Sequence, residues 1–481
     1  MRRYKKIMYL LFVAVLSVAL LAGCNSGTSS GDKEDNGNSG KTEEPAAKGD
    51  EKKKDVVKVW TFPVEAEYND NFARIKEAFE EANPHITIEK EELSWAEGIK
   101  KFDTAINAGN PPDIMFVTPS AKYAQTGLMV PVEDYADASA LEDFDANALE
   151  YMKIDNKLYG LPLYMKLHTI AGNPKLMDEI GLDWKKIQRE GWTWDEFKKA
   201  IKKGTKKNAD GKQQYAFVFH GAETDPTELL DHMNLNNGLI SAIDKDGKYQ
   251  YTSPKFLETL KFIRSLIDED LMPKESNQIT PTKRMEYFYS EQAMIIGKAM
   301  PYYEVVIGNH NQDVKDKKAS AGQKEVDFVL LPEPHHKDAE AVTPGGVDGY
   351  AMFKQKNYKG NVDQDTHLKN VANVLVALTS KEAGASAVVL RLPQVTKSGD
   401  EMWKDKYEMK PENKEMLDRL FEKVVPPVQV DPELSQKAIK LYDEVIKAKY
   451  PALLGGDVTA EDMHKAIVER AEKDFGDNIV K

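Results

Sequence analysis

The sequence predicts an α/β fold with more helix than strand. Two observations carry that reading: the folded part opens as strand, helix, strand, helix, strand, and the third strand is apolar throughout. Val56-Val57-Lys58-Val59-Trp60 is β-branched and aromatic, the composition of a strand. Phe72, Ile75, Phe79 and Ala82 then recur at helical spacing until Asn83-Pro84 stops the helix. Ile86 and Ile88 alternate in a second strand. Trp95, Ile99, Phe102 and Ile106 make the next helical stripe, closed by Gly109-Asn110-Pro111-Pro112. Residues 114–117 form the third strand, with the continuous apolar run of a strand covered on both faces. Such an order predicts a parallel sheet with covering helices.

Further along, Thr193-Trp194-Asp195-Glu196 has the capping-box pattern and opens a helix bearing Phe197 and Ile201. Asp210-Gly211 and Asp246-Gly247 are turn signals beside two expected strands, residues 215–219 and 248–251. Helical stripes follow at Phe256, Leu260, Ile263 and Ile267, and at Leu368, Val371, Leu375 and Leu378. Thr459-Ala460-Glu461-Asp462 opens a terminal helix with Met463 and Ile467. No internal repeat is evident.

A chain of 481 residues suggests two or three domains of about 100–200 residues. Its net charge of −13 argues against a nucleic-acid binder, which needs a basic field to displace counterions. A single cysteine excludes a disulfide framework and a cysteine-based zinc knuckle. No HExxH, P-loop or GxGxxG after a strand occurs. Asp244-Lys245-Asp246-Gly247 lacks the outer ligands of an EF-hand and reads as a tight turn. His335-His336 points two ways and reads as a surface loop. Neither a metal nor a cofactor is expected.

Four cations in Met1-Arg2-Arg3-Tyr4-Lys5-Lys6 precede an apolar run at 7–22, too short for a comfortable membrane span. The run ends Leu20-Leu21-Ala22-Gly23-Cys24, which resembles the lipobox of a bacterial lipoprotein signal peptide. That resemblance implies a leader at 1–23 and a diacylglycerol on Cys24; a simple cleaved signal with an incidental cysteine is the alternative. Residues 24–55 are Ser, Gly, Asn, Glu and Lys with no large apolar residue, the composition of a flexible tether of about 30 Å reach. The Gly27-Thr28-Ser29-Ser30-Gly31 match to a nucleophile elbow has no strand before it and no helix after it, so it is set aside.

Several phrases then occur in one order: WAEGIKKFDTAINAGNPPDIMFV from Trp95, Tyr159-Gly160-Leu161-Pro162, and Trp192-Thr193-Trp194-Asp195-Glu196-Phe197. Tyr251-Thr252-Ser253-Pro254, Glu291-Gln292-Ala293-Met294 through Gly297, Gly345-Gly346 to Ala351, and Leu378-Thr379-Ser380-Lys381-Glu382 continue the series. Together they resemble family 1 of the extracellular solute-binding proteins of ABC importers, the sugar-binding lipoproteins related to maltose-binding protein. The resemblance implies a two-lobed, periplasmic-binding-protein-like (type II) fold. Residues 56–162 with 344–394 would form one lobe and 163–343 with 395–481 the other. A carbohydrate, typically an oligosaccharide, would bind between the lobes and draw them together, for delivery to the permease's transmembrane subunits. No catalysis is implied. A monomer anchored on the extracellular face of a Gram-positive cell membrane is expected.

Sugars offer CH faces and many hydroxyls, so their sites pair aromatic platforms with polar groups. Strand ends facing the implied cleft supply Trp60, Phe62, Glu65, Thr118, Ser120, Tyr164, Lys166, Phe219, His220, Tyr302, Tyr303 and Asp348, with Trp95 beside them. Each aromatic has core packing as its alternative, and Asp113 reads as a turn residue. A cation at Lys166 hints at a carboxylate-bearing ligand such as a uronate. Three other functions stay open: a receptor for another solute, an anchored secreted hydrolase, and a ligand-presenting partner of a sensor kinase.

Overall fold

The computed structural model describes residues 53–95, 97–222, 226–425, 427–428 and 430–481. The leader, the Cys24 lipidation site and nearly all of the tether lie outside the described residues.

Strand β1 (Asp55–Thr61) leads into α1 (Tyr68–Ala82), β2 (Ile86–Glu92), α2 (Gly98–Asn107), β3 (Ile114–Phe116) and the short α3 (Ala121–Ala124). Strands β4 (Gly160–Leu167) and β5 (Thr169–Gly172) follow, then α4 (Trp194–Ile201), β6 (Lys206–Lys207) and β7 (Gln213–Val218). The chain continues through α5 (Glu228–Leu235), α6 (Pro254–Asp268), α7 (Pro281–Tyr289), β8 (Ala293–Ala299) and α8 (Tyr303–Lys315). Strands β9 (Val329–Leu331) and β10 (Gly345–Met352) precede α9 (Gln364–Leu378), α10 (Pro411–Phe421), α11 (Pro432–Leu441) and α12 (Ala460–Phe475).

Ten of these strands make two five-stranded sheets, ordered β2-β1-β3-β10-β4 and β9-β5-β8-β7-β6. The expected parallel βαβαβ opening is present, with β1 flanked by β2 and β3 in parallel. Strand β10 returns antiparallel between β3 and β4, which ties distant sequence into the first sheet. The two sheets have separate cores. Val57, Val59, Phe102, Ile114, Tyr350, Val371 and Leu375 pack in the first, and Phe197, Phe217, Phe256, Ile263, Ile295, Met463 and Ile467 in the second. Each such fully buried side chain is worth about 1.5–3 kcal/mol of transfer free energy.

The capping box of α4 forms as its sequence predicts: Glu196 N–H donates to Thr193 Oγ1, while Glu196 Oε2 accepts from Thr193 N–H at 2.8 Å. Two expectations fail. Residues 248–251 make no strand; Tyr249 forms single bridges to Ile243 and Ile479 because no neighbouring strand runs beside it. The stripe of α2 is shorter than its spacing suggests: Phe102 and Ile106 are buried, but Trp95 precedes the helix and Ile99 is exposed. The helix begins at Gly98, a position that takes no side chain because a Cβ there would lie 2.4 Å from Phe62 Cε1.

A buried charged cluster clamps the first sheet to α9. His367 Nδ1 lies 2.9 Å from both Asp55 oxygens, and its Nε2 lies 3.1 Å from Asp113 Oδ1. Asn370 donates to Asp55 at 2.8 Å, and Asp113 accepts the Lys58 N–H at 2.8 Å, which fixes the entry to β3. Burial by itself would lower His367, but the two carboxylates outweigh it and raise the imidazole to about 9.

Candidate functional site

The chain passes from the first sheet to the second through one residue, His168, between β4 and β5. Its ring stacks on His232 of α5 with centroids 6.0 Å apart. Burial, His232, Lys166 and Lys298 together hold His168 well below the ordinary histidine value. Lys166 comes from the first sheet and Lys298 from the second, so the strand ends of both meet around this crossing. Elsewhere the two halves touch directly: Gln125 Nε2 donates to Pro432 O at 2.9 Å, where α3 packs against α11.

On the first-sheet side, Phe62 is fully buried and Trp95 lies flat on it, centroids 4.3 Å apart and planes 11° apart. Trp95 Nε1 donates to Pro63 O at 3.1 Å, which pins the indole, yet the residue is 55 % exposed. Phe62 is thus the support and Trp95 the displayed platform. Trp60 is not brought to this group: it faces α2, with Lys101 Nζ 4.5 Å above its ring. Glu65 accepts from Ser386 Oγ at 2.8 Å, and burial raises its carboxyl despite the donors around it. Thr118 Oγ1 donates to Val347 O at 2.8 Å, so its hydroxyl proton serves β10. Ser120 is half-buried just before α3.

Tyr164, Lys166 and Asp348 form one group because β4 and β10 pair Asp348 with Tyr164 and Gly346 with Lys166. Tyr164 donates its hydroxyl to Asp348 Oδ2 at 3.2 Å, and Lys166 pairs with Asp348 Oδ1. The Lys166 charge is therefore already met inside the protein. Below them Thr61, Tyr68 and Tyr350 join through their hydroxyls, with Thr61 Oγ1 and Tyr68 OH 2.5 Å apart. The sequence reading missed Tyr68, Tyr350 and Ser386.

On the second-sheet side, Phe219 is buried and stacks on His220, centroids 5.0 Å apart. His220 Nε2 lies 2.9 Å from Glu228 Oε2, and Lys298 pairs with Glu228 Oε1. Burial raises Glu228, but His220 and Lys298 outweigh it and bring the carboxyl to about 2. Arg284 donates to Tyr303 OH, while Tyr302 stands half-buried at the head of α8. Deeper, His232 Nδ1 lies 3.0 Å from Glu333 Oε1. Arg284, Glu228, Lys298, His168 and His232 were absent from the sequence reading. Glu228 alone carried a signal, an acid opening a helix shortly after His220.

The two faces thus combine an exposed indole with carboxylates, ammonium groups, imidazoles and phenols, a set suited to hydrogen-bonding a hydroxyl-rich solute. Among the described residues no group of three His, Cys, Asp or Glu side chains is placed to hold a metal ion.

Comparison with known proteins agrees with this architecture. The model of the bacterial extracellular solute-binding proteins matches residues 63–384. The Multiple sugar-binding protein of Streptococcus mutans is 25% identical over 307 residues, 61% of this chain and 64% of that protein. A binding protein of Brucella abortus is 28% identical over 202 residues, so the match spans about half of that relative's length (47%) and 42% of this chain. Among solved structures, the maltose/maltodextrin-binding domain of Bdellovibrio bacteriovorus bound to maltotriose superposes with TM-score 0.62 at 19% identity, covering 88% of this chain and 100% of that one. An ABC substrate-binding protein of Listeria monocytogenes in complex with cycloalternan gives TM-score 0.66 at 19% identity, covering 88% and 99%. The match over residues 63–384 shows that the chain belongs to the bacterial extracellular solute-binding proteins, with the two-lobed fold of the maltose-binding proteins.

Proposed function

We propose that this protein is the lipid-anchored receptor of an ABC importer, capturing an oligosaccharide between its two sheets and handing it to the permease without altering it. The observation that carries the reading is the platform pair, Trp95 exposed on Phe62 just after β1, taken together with the strand-end polar groups that meet around His168. The sugar-binding name of the Streptococcus mutans relative and the oligosaccharides in the similar structures support the ligand class. Membrane attachment would come through Cys24 on the extracellular face, and closure of a monomer around the sugar would supply the form that the permease reads. The expected first lobe of 56–162 with 344–394 would extend to 55–167 with 345–398, since β4 stays in the first sheet through Leu167 and Lys397 N–H bonds Asp143 O at 2.8 Å.

A thermal-shift screen across neutral and acidic oligosaccharides tests this, because a ligand held only by the native state raises the midpoint. At least one neutral oligosaccharide should raise it without being consumed. No shift from any sugar, or turnover of one, overturns the proposal. The screen also decides the uronate reading. Lys166 already has Asp348 as its partner, which favours a neutral ligand; a larger shift from uronates, erased by Lys166→Ala, would reverse that preference.

A further inference from the structure

One residue of the second-sheet face is a buried guanidinium with no carboxylate beside it among the described residues. Arg284, in the first turn of α7, is 1 % exposed. Its Nη1 donates to Gly297 O at 2.7 Å and lies 3.1 Å from His220 Nδ1, and its Nη2 donates to Tyr303 OH. Among the described residues no carboxylate stands within ion-pair distance of it. Burying such a charge is costly unless its protons find acceptors, so the contacts Arg284 makes are strongly held.

A guanidinium stays protonated and only donates. The imidazole nitrogen facing it must therefore offer a lone pair, which leaves the His220 proton on Nε2. That nitrogen lies 2.9 Å from Glu228 Oε2 and donates to it. Five elements meet in this chain of bonds: α7, which carries Arg284, β8, which carries Gly297, the end of β7, the start of α5 and the head of α8.

We propose that Arg284 is a positioning residue of the ligand site: it locks His220 as the Nε2–H tautomer, aims that ring at Glu228 and ties Tyr303 to the same frame. The proposal rests on the cleft reading above and deepens it by fixing the polarity of this half-site. Glu228 is a carboxylate whose oxygens keep lone pairs beyond those used by His220 and Lys298. Tyr303 accepts from Arg284 and keeps its own proton to give. One fixed acceptor and one fixed donor side by side match neighbouring sugar hydroxyls, which both donate and accept.

The test is 15N NMR of the full chain labelled at histidine, about two pH units above the ordinary histidine value, where free rings are neutral. His220, assigned through its loss in H220Q, should show an unprotonated Nδ1 and a protonated Nε2. Arg284→Met, which removes the donor facing Nδ1, should weaken that signature, and adding Glu228→Gln, which removes the carboxylate acceptor at Nε2, should replace it with averaged tautomers. Tyr303→Phe, which leaves the Arg284–His220 contact in place, should not change it. A protonated Nδ1 in the wild type overturns the proposal, and that spectrum decides even where Arg284→Met does not fold. An unchanged tautomer in a folded Arg284→Met overturns it equally. Because no sugar is present, a failed oligosaccharide screen alongside the expected signature would remove the cleft reading and leave the lock standing.

Discussion

The polar interiors of the two lobes are built on opposite principles. In the first, His367 sits between two carboxylates, Asp55 and Asp113, and is held charged. In the second, His168 faces Lys166, Lys298 and another imidazole, and is held neutral. Burial pushes both the same way, so partners decide the difference. The first arrangement locks a helix onto a sheet at the entries to β1 and β3, the opposite ends of those strands from Phe62. The second lies where the sheets meet, with Glu228 as its main counter-charge, and on the proposed reading is the one that would respond to a ligand.

Breaking the first cluster should have the largest effect. His367→Ala leaves two buried carboxylates facing each other and should cost about 3–5 kcal/mol, read from urea denaturation at pH 7. A loss below about 1 kcal/mol would mean that the cluster is decorative.

The pH dependence sharpens the contrast. His367 is raised to about 9 in the folded state, so its contribution is complete below the ordinary value of 6.5 and is lost as pH climbs through 9. Glu228 is brought down to about 2, so its contribution is present above the ordinary value of 4.5 and is lost as pH falls toward 2. His168, held low, adds an acid-side loss that starts below 6.5. Each of the two shifts with a value is worth roughly 3 kcal/mol on the pKa scale. Hydrogen exchange should therefore show alkaline weakening first at β1, β3 and α9, and acid weakening at α5 and the end of β8. The acid side is less clean than the alkaline one, because Asp55 is also held low.

Glu228→Gln keeps the shape and removes the charge that Lys298 and His220 share; it should cost about 1.5–3 kcal/mol in the same denaturation experiment. Trp95→Ala should leave stability within about 1 kcal/mol yet weaken binding of the best oligosaccharide about tenfold, a stacking contribution near 1.4 kcal/mol. Calorimetric titration checks it, and equal affinities would demote the platform to surface. Smallest is Lys166→Ala: a partly exposed pair with Asp348 is worth about 0–1 kcal/mol.

Much of this fold was legible because its signals are local. The capping box at Thr193, the apolar 114–117 run and the stripe of α6 each lie within a few residues. The site was legible only as strand ends. Aromatics there could be named, but which one is covered depends on a contact between Phe62 and Trp95, 33 residues apart in sequence and flat on each other in space. The polar frame was harder still: Arg284 meets His220 across 64 residues, and His367 meets Asp55 across 312. No spacing rule links such pairs, because they meet only through tertiary packing of elements distant in sequence. The hint of a carboxylate-bearing ligand at Lys166 has the same origin, since its partner Asp348 comes beside it only when β10 pairs with β4.

The most direct measurement of the central claim is a crystal structure of the protein with the oligosaccharide that raises its midpoint most. Sugar rings should lie between the two sheets, one against the open face of Trp95 and others within hydrogen-bond reach of Glu228 or Tyr303. A sugar seated entirely against one sheet, or outside both with Trp95 untouched, would contradict the account.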